Sequence, residues 1–247
     1  MKEFSLQQIA VVRSCYRAKF GIPRQPGLVQ AARGRIDLLP PYNQPNTVRG
    51  LEEFSHIWVL FIFHQAMRGE TWKATVRPPR LGGDKRVGVF ASRSPFRPSP
   101  IGLSVMKLDK VVCRNSKVYL EVSGLDLLYG TPVLDVKPYV PYADIVQEAT
   151  GGFAPSAPES ILTVEYTDQA LKRCQAISQK EYPGFTELVS GVLAQNPRPA
   201  YQDIPGREYS VFLAGYEVFW KVDGSTVTVF DVRRASPSAC HAENGTR

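Results

Sequence analysis

Before residue 140 no apolar stretch outlasts Ile57–Phe63, and turns bearing glycine, proline or asparagine separate one stretch from the next. Ile9–Val12, Ile57–Phe63, Val87–Phe90, Leu103–Leu108, Val118–Val122 and Val133–Val136 are short and rich in β-branched and aromatic residues. Runs of this kind build strands, and no helical periodicity longer than about two turns interrupts them. Several short strands joined by loops predict a barrel or sandwich rather than a doubly wound α/β sheet. No Gly-x-Gly-x-x-Gly follows a strand, so no Rossmann-type nucleotide site is expected. Nineteen glycines and twenty prolines among 247 residues also count against a helical bundle.

The grammar changes after Thr150–Ser160, a small, polar, proline-bearing stretch that reads as a linker. Ile161–Tyr166 alternates as a strand. A helix capped by Asp168 runs to Lys180, and a second starts at Pro183 and ends near Gln195. Strands Tyr209–Leu213, Tyr216–Val222 and Val227–Val232 follow, the last two flanking the Asp223-Gly224 turn. The expected division is a mainly β domain over residues 1–146, a linker over 147–160, a small α+β domain over 161–235 and a disordered tail over 236–247.

Ile57–Phe63 falls far short of the roughly 20 apolar residues of a membrane span, and no signal-peptide core follows Met1-Lys2-Glu3-Phe4-Ser5. A cytoplasmic location is therefore expected. Cys15, Cys113, Cys174 and Cys240 are scattered without a Cys-x-x-Cys pair, which predicts reduced thiols. With only His56, His64 and His241 beside them, no metal is expected.

Charge is distributed unevenly. Residues 1–110 hold 18 Lys/Arg against seven Asp/Glu, whereas residues 111–247 hold 12 against 16. A one-sided basic field attracts a polyanion, and phosphate contacts supply most nucleic-acid affinity. The densest segment, Arg77–Gly102, displays five arginines on a framework of five prolines and four glycines. Immobilised arginines lose little entropy on binding phosphate, carboxylate or a base edge.

Three further stretches carry chemistry. In Phe20–Gly27, two prolines stiffen the backbone around Arg24 and Gln25, and Gly27 permits close approach to a ligand. His64-Gln65 emerges at the end of a buried strand, where sheets present ligand-binding groups. Asp135 and Lys137 lie two apart on a strand and so share a face, either as an ion pair or as a pair that orients a polar substrate and moves a proton.

Taken in order, Pro23-Arg-Gln-Pro-Gly27, His64-Gln65, the block from Arg-Pro-Pro-Arg-Leu-Gly-Gly83 to Phe96-Arg-Pro-Ser-Pro-Ile-Gly102, and Asp135-Val-Lys-Pro-Tyr139 resemble the TrmO family of tRNA methyltransferases. The likeness spans about residues 5–142, and Gln195–Tyr201 resembles the C-terminal domain of the bacterial members. Ser99 departs from the asparagine found in many of them. The resemblance implies a β-barrel enzyme dependent on S-adenosylmethionine, a homodimer with the cofactor near the subunit boundary. It also implies N6-methylation of threonylcarbamoyladenosine at position 37, beside the anticodon of a threonine tRNA. Carried onto this chain, Gln25, Pro26, Gly27, His64, Gln65, Arg93, Leu103, Leu125 and Asp126 hold the cofactor.

Arg97, Tyr42, Asp135 and Lys137 are the candidates on the substrate side. Transfer to a nitrogen whose lone pair is delocalised needs its proton removed, and Asp135 is the carboxylate candidate for that base, or for orienting a base. Lys137 or Arg97 offsets developing charge, and Tyr42 stacks on an exposed base. The alternatives are a non-catalytic RNA-binding module that senses S-adenosylmethionine or another nucleotide, and an RNA chaperone with no small-molecule pocket.

Overall fold

The computed structural model describes residues 3–66, 72–115, 117–158, 162–198 and 206–235, so the tail expected over 236–247 lies outside the described residues. Contacts group the chain into two compact units. One comprises Met1–Val12, Arg35–Val122 and Gly130–Ala157; the other comprises Arg13–Gly34, Ser123–Tyr129 and Pro158–Arg247.

The strands before residue 140 are β1 (Ala10–Ser14), β2 (Arg33–Leu38), β3 (His56–Ile62), β4 (Thr75–Val76), β5 (Val87–Gly88), β6 (Ile101–Arg114), β7 (Lys117–Ser123) and β8 (Pro132–Pro138). Six of them close a barrel in the order β1-β2-β7-β6-β3-β8, while β4 and β5 form a separate two-stranded ribbon. The mainly β expectation is thus borne out as a closed barrel. Alternation decides what fills it: Ile57, Val59 and Phe61 of β3 are buried, whereas His56, Trp58, Leu60 and Ile62 face outward. Ile36, Met106, Val118, Leu120, Val122 and Val133 are buried with them. Each such side chain contributes about 1.5–3 kcal/mol by leaving water.

Several elements differ from the sequence reading. Strand β2 was not anticipated, because Arg33-Gly-Arg-Ile-Asp-Leu offers only two large apolar residues. Gly34 explains it: a methyl there would lie 2.6 Å from the Arg13 carbonyl oxygen, so the missing side chain is what lets the two backbones approach. The expected strand Val87–Phe90 ends at Gly88, and a 3-10 turn over Val89–Ala91 buries Val89 while turning Phe90 outward. Strand β6 runs well past Leu108, to Arg114.

In the second unit, α1 (Pro141–Asp144) belonging to the first, the elements are β9 (Thr163–Tyr166), α2 (Asp168–Lys180), α3 (Phe185–Ala194), β10 (Glu208–Leu213), β11 (Tyr216–Asp223) and β12 (Thr226–Arg234). The sheet order is β10-β11-β12-β9, with β9 parallel to β12. The N-cap of α2 is Thr167 rather than Asp168: its side-chain oxygen accepts from the Ala170 N–H, and Asp168 becomes the acidic first residue favoured by the helix dipole. Helix α3 begins at Phe185 after Gly184 in the left-handed region, not at Pro183. Phe185, Leu188, Val189, Leu193, Leu213, Val218 and Trp220 form the core, with Tyr209 stacked on Trp220 at 4.8 Å.

Candidate active site

Asp135 and Lys137 do share the outer face of β8, and they pair: Lys137 Nζ lies 3.0 Å from Asp135 Oδ2. The Val136 N–H donates to Asp135 Oδ1 at 2.9 Å, so both carboxylate oxygens have fixed partners. The register explains the aim of this side chain. Leu60 pairs with Asp135 but Phe61 pairs with Val133, so a bulge at Leu134 twists the strand just where the carboxylate emerges.

Beside the pair, on the same outer face, a cleft of about 390 Å³ is lined by His56, Trp58, Val105, Tyr139 and Asp144. Its position follows from β3 alternation, because Trp58 lies directly across from Lys137 and His56 from Lys107. The Tyr139 ring is tilted against Trp58 at 5.8 Å and edge-on to His56 at 6.3 Å. None of these three aromatic residues was singled out from the sequence for this role. Tyr139 closes the Asp135–Tyr139 motif, and the outward half of the β3 alternation was the available signal for the other two.

In the same unit, His64 and Gln65 follow β3 in a turn where the Phe63 N–H bonds the Pro100 carbonyl at 2.8 Å. Both are half-buried. Leu103 faces outward from β6 opposite Leu60 and is 48% exposed, an apolar surface open to a ligand. Arg93 is exposed. Arg97 folds back so that its guanidinium donates to the Ser92 carbonyl at 3.2 Å, bracing the turn that carries Arg93. Phe90 stands 77% exposed with the Arg97 guanidinium 6.0 Å from its ring centre, and Lys73 lies 5.8 Å from the Phe96 ring. The prolines thus display aromatic faces as well as cations. Tyr42, by contrast, is half-buried in a tight turn, with its N–H on the Leu39 carbonyl and its own carbonyl accepting from Thr47 Oγ1.

The remaining candidates lie in the second unit and are brought together there. Gly27, at φ +77°, donates its N–H to the Gly124 carbonyl at 2.8 Å, which sets the Gln25–Gly27 apex beside the turn of Leu125 and Asp126. A methyl on Gly124 would sit 3.4 Å from the Gly27 Cα, so the two glycines form a close backbone contact. Leu125 is 1% exposed, which leaves only its backbone for a ligand. Gln25, Pro26 and Asp126 are half-buried and Gly27 is exposed. In the same unit, the Arg17 guanidinium stacks 3.5 Å from the centre of the Tyr129 ring, and Arg13 donates to the Tyr129 hydroxyl at 2.7 Å.

Each unit by itself offers chemistry that S-adenosylmethionine could use. In the second, the Asp126 carboxylate and the Gln25 amide oxygen could accept from an ammonium or an adenine amine; in the first, the Gln65 amide could do the same, Arg93 could match a carboxylate and Leu103 offers an apolar face. Below the apex, burial pushes the Cys15 thiol up to about 12 and raises the Tyr182 hydroxyl well above the ordinary phenol range, so both stay protonated.

Comparison with known proteins places the whole chain. The family model described as tRNA-methyltransferase O N-terminal domain matches residues 11–145, and that of the TrmO C-terminal domain matches residues 159–235. The chain is 49% identical over 232 residues to a tRNA (adenine(37)-N6)-methyltransferase of Escherichia coli, covering 93% of this chain and 98% of that protein. It is 48% identical over 217 residues to a putative S-adenosylmethionine-dependent methyltransferase of Pseudomonas aeruginosa, covering 87% and 91%. The crystal structure of TrmO from Pseudomonas aeruginosa superposes with a TM-score of 0.80 at 40% identity, covering 94% of this chain and 98% of that one. Barrel, motifs and both domain models agree, and this chain belongs to the tRNA-methyltransferase O family.

Proposed function

We propose that this chain transfers the methyl group of S-adenosylmethionine to N6 of threonylcarbamoyladenosine at position 37 of a threonine tRNA. The observation that carries the reading is the Asp135–Lys137 pair on the same outer face of the barrel as an aromatic cleft, with Lys137 directly across from Trp58. Trp58 and Tyr139 supply ring faces for a purine, and Asp135 receives the N6 proton as the C–N bond forms and the S–C bond breaks. Lys137 holds the carboxylate in place and compensates charge as it develops. The donor, when bound, supplies an already activated sulfonium methyl, so the protein contributes chiefly positioning.

In this reading Gln25, Pro26, Gly27, Leu125 and Asp126 of the second unit, and His64, Gln65, Arg93 and Leu103 of the first, bind the donor. Arg97 and the exposed Phe90 and Phe96 meet the anticodon loop, where phosphates pair with arginine and unstacked bases lie on aromatic rings. Tyr42 stacks on an exposed base. Residues 1–146 are the methyltransferase domain and 161–235 a supporting domain. The working enzyme is a cytoplasmic homodimer, a state that light scattering on purified protein checks directly.

The test is incubation with methyl-labelled donor and tRNA, with and without the threonylcarbamoyl group. Label confined to the modified tRNA supports the proposal. Label in both overturns the substrate assignment, and donor binding without transfer overturns the enzymatic one.

A further inference from the structure

We infer that the C-terminal part of the chain is the mould for the donor loop, and that Tyr182 is a positioning residue for Gln25 and Gly27. The inference rests on the reading that this loop holds the methyl donor. Between β1 and β2 the loop has no helix or strand of its own, so its shape must come from what it packs on.

Four holds do this, all within the second unit. At the entry, Gly21 passes so close to β10 that a methyl on it would fall 2.5 Å from Val211 Cγ2. Behind the apex, the Gly27 N–H is held by the Gly124 carbonyl. On the return, buried Val29 rests on α3, where a methyl on Gly191 would come within 2.9 Å of its Cγ1. At the exit, the Tyr182 hydroxyl accepts from the Arg33 N–H at 2.6 Å and donates to the Ala31 carbonyl at 3.0 Å, with the Arg33 carbonyl at 3.3 Å sharing that proton.

The clamp is itself stiff. Tyr182 sits edge-on to Phe185 with ring centres 6.4 Å apart, and Phe185 is fully buried against Tyr216. Its hydroxyl stays protonated and so keeps both roles, donor and acceptor. A phosphate-gripping role for this part of the chain is disfavoured by its charge, since residues 111–247 carry more acidic than basic side chains.

Steady-state kinetics of full-length Tyr182→Phe, with S-adenosylmethionine and threonylcarbamoyl-modified tRNA varied separately, tests the assignment. Losing the hydroxyl takes from the Arg33 N–H and the part-buried Ala31 carbonyl the partner that ties both to the clamp. The donor KM should rise roughly ten-fold, the worth of about one hydrogen bond, while the tRNA KM stays at the parent value. Gly191→Ala should likewise raise the donor KM by pressing on Val29, and Val29→Ala in the same chain should restore it. An unchanged donor KM in Tyr182→Phe, or an equal rise in the tRNA KM, overturns the inference. Should Tyr182→Phe not fold, the Gly191→Ala pair decides, and failure of Val29→Ala to rescue overturns it. If the parent enzyme takes up no donor in calorimetry, the functional reading fails instead, before any variant is made.

Discussion

Replacing Gly102 by alanine should unseat the ring that fills the barrel beneath the His64-Gln65 turn. In the β3–β6 register Phe61 lies directly across from Gly102, and its ring is laid over the glycine. A methyl at that position would come 2.2 Å from Phe61 Cζ, 2.3 Å from Cε2 and 2.8 Å from Cε1. Carbon atoms rest about 3.5–4.0 Å apart, so the ring must retreat by more than ~1 Å. Phe61 is 3% exposed and its ring already meets Phe63 edge-on at 5.0 Å, which leaves no room for that retreat. Overpacking of this kind costs about 1–3 kcal/mol. For a chain of this length the melting temperature should drop by roughly 2–12 °C. Differential scanning calorimetry of Gly102→Ala measures the drop, and Phe61→Leu in the same chain should recover part of it, giving a favourable coupling in a double-mutant cycle. A Gly102→Ala protein melting within a degree of the parent would show that the barrel yields where the packing says it cannot.

Asp135→Asn should cut turnover roughly a hundred- to ten-thousand-fold with donor affinity intact, the span of general-base effects; near-normal single-turnover rates would remove Asp135 from the mechanism. Affinity for tRNA should fall steeply with added salt, and Arg97→Ala should flatten the plot of log affinity against log salt by about one unit of slope. A filter-binding series gives both. Iodoacetamide at pH 8 should label exposed Cys113 in the native protein while buried Cys15 and Cys174 stay unmodified, because burial raises their thiols to about 12 and about 11; peptide mass mapping reads the outcome. The same shifts bear on alkaline stability. Between pH 9 and 12 the unfolded chain releases thiol protons that the folded chain keeps, so stability should decline as pH rises through that window, and urea midpoints should move down with it.

Much of the barrel was legible because inward residues of strands such as β3 alternate cleanly with outward ones. Residues 33–38 escaped because the property that seats them in the barrel is the absence of a side chain at Gly34, and absence leaves no hydrophobic signal. The candidate residues were legible in clusters, since Gln25–Gly27, Arg77–Gly102 and Asp135–Tyr139 announce themselves by fixed backbone and clustered charge. What the chain order concealed was juxtaposition. Trp58 and His56 join Asp135 and Lys137 only through strand register, and Tyr182 reaches Ala31 and Arg33 from 151 and 149 residues away. Gly102 was read as part of a loop framework, whereas it is a strand residue whose value lies in the ring it accommodates.

The grouping of Arg13–Gly34 with Pro158–Arg247 has a practical consequence. A protease that nicks the stretch between Asp144 and Ala157 cuts one covalent connection, yet the C-terminal piece keeps its grip on a segment from near the start of the chain. The nicked protein should run as one species on a sizing column and as two bands only after denaturation. For the same reason, a shortened version ending at residue 157 is an unpromising minimal enzyme: it would discard the surface on which Val29 and Gly21 are seated.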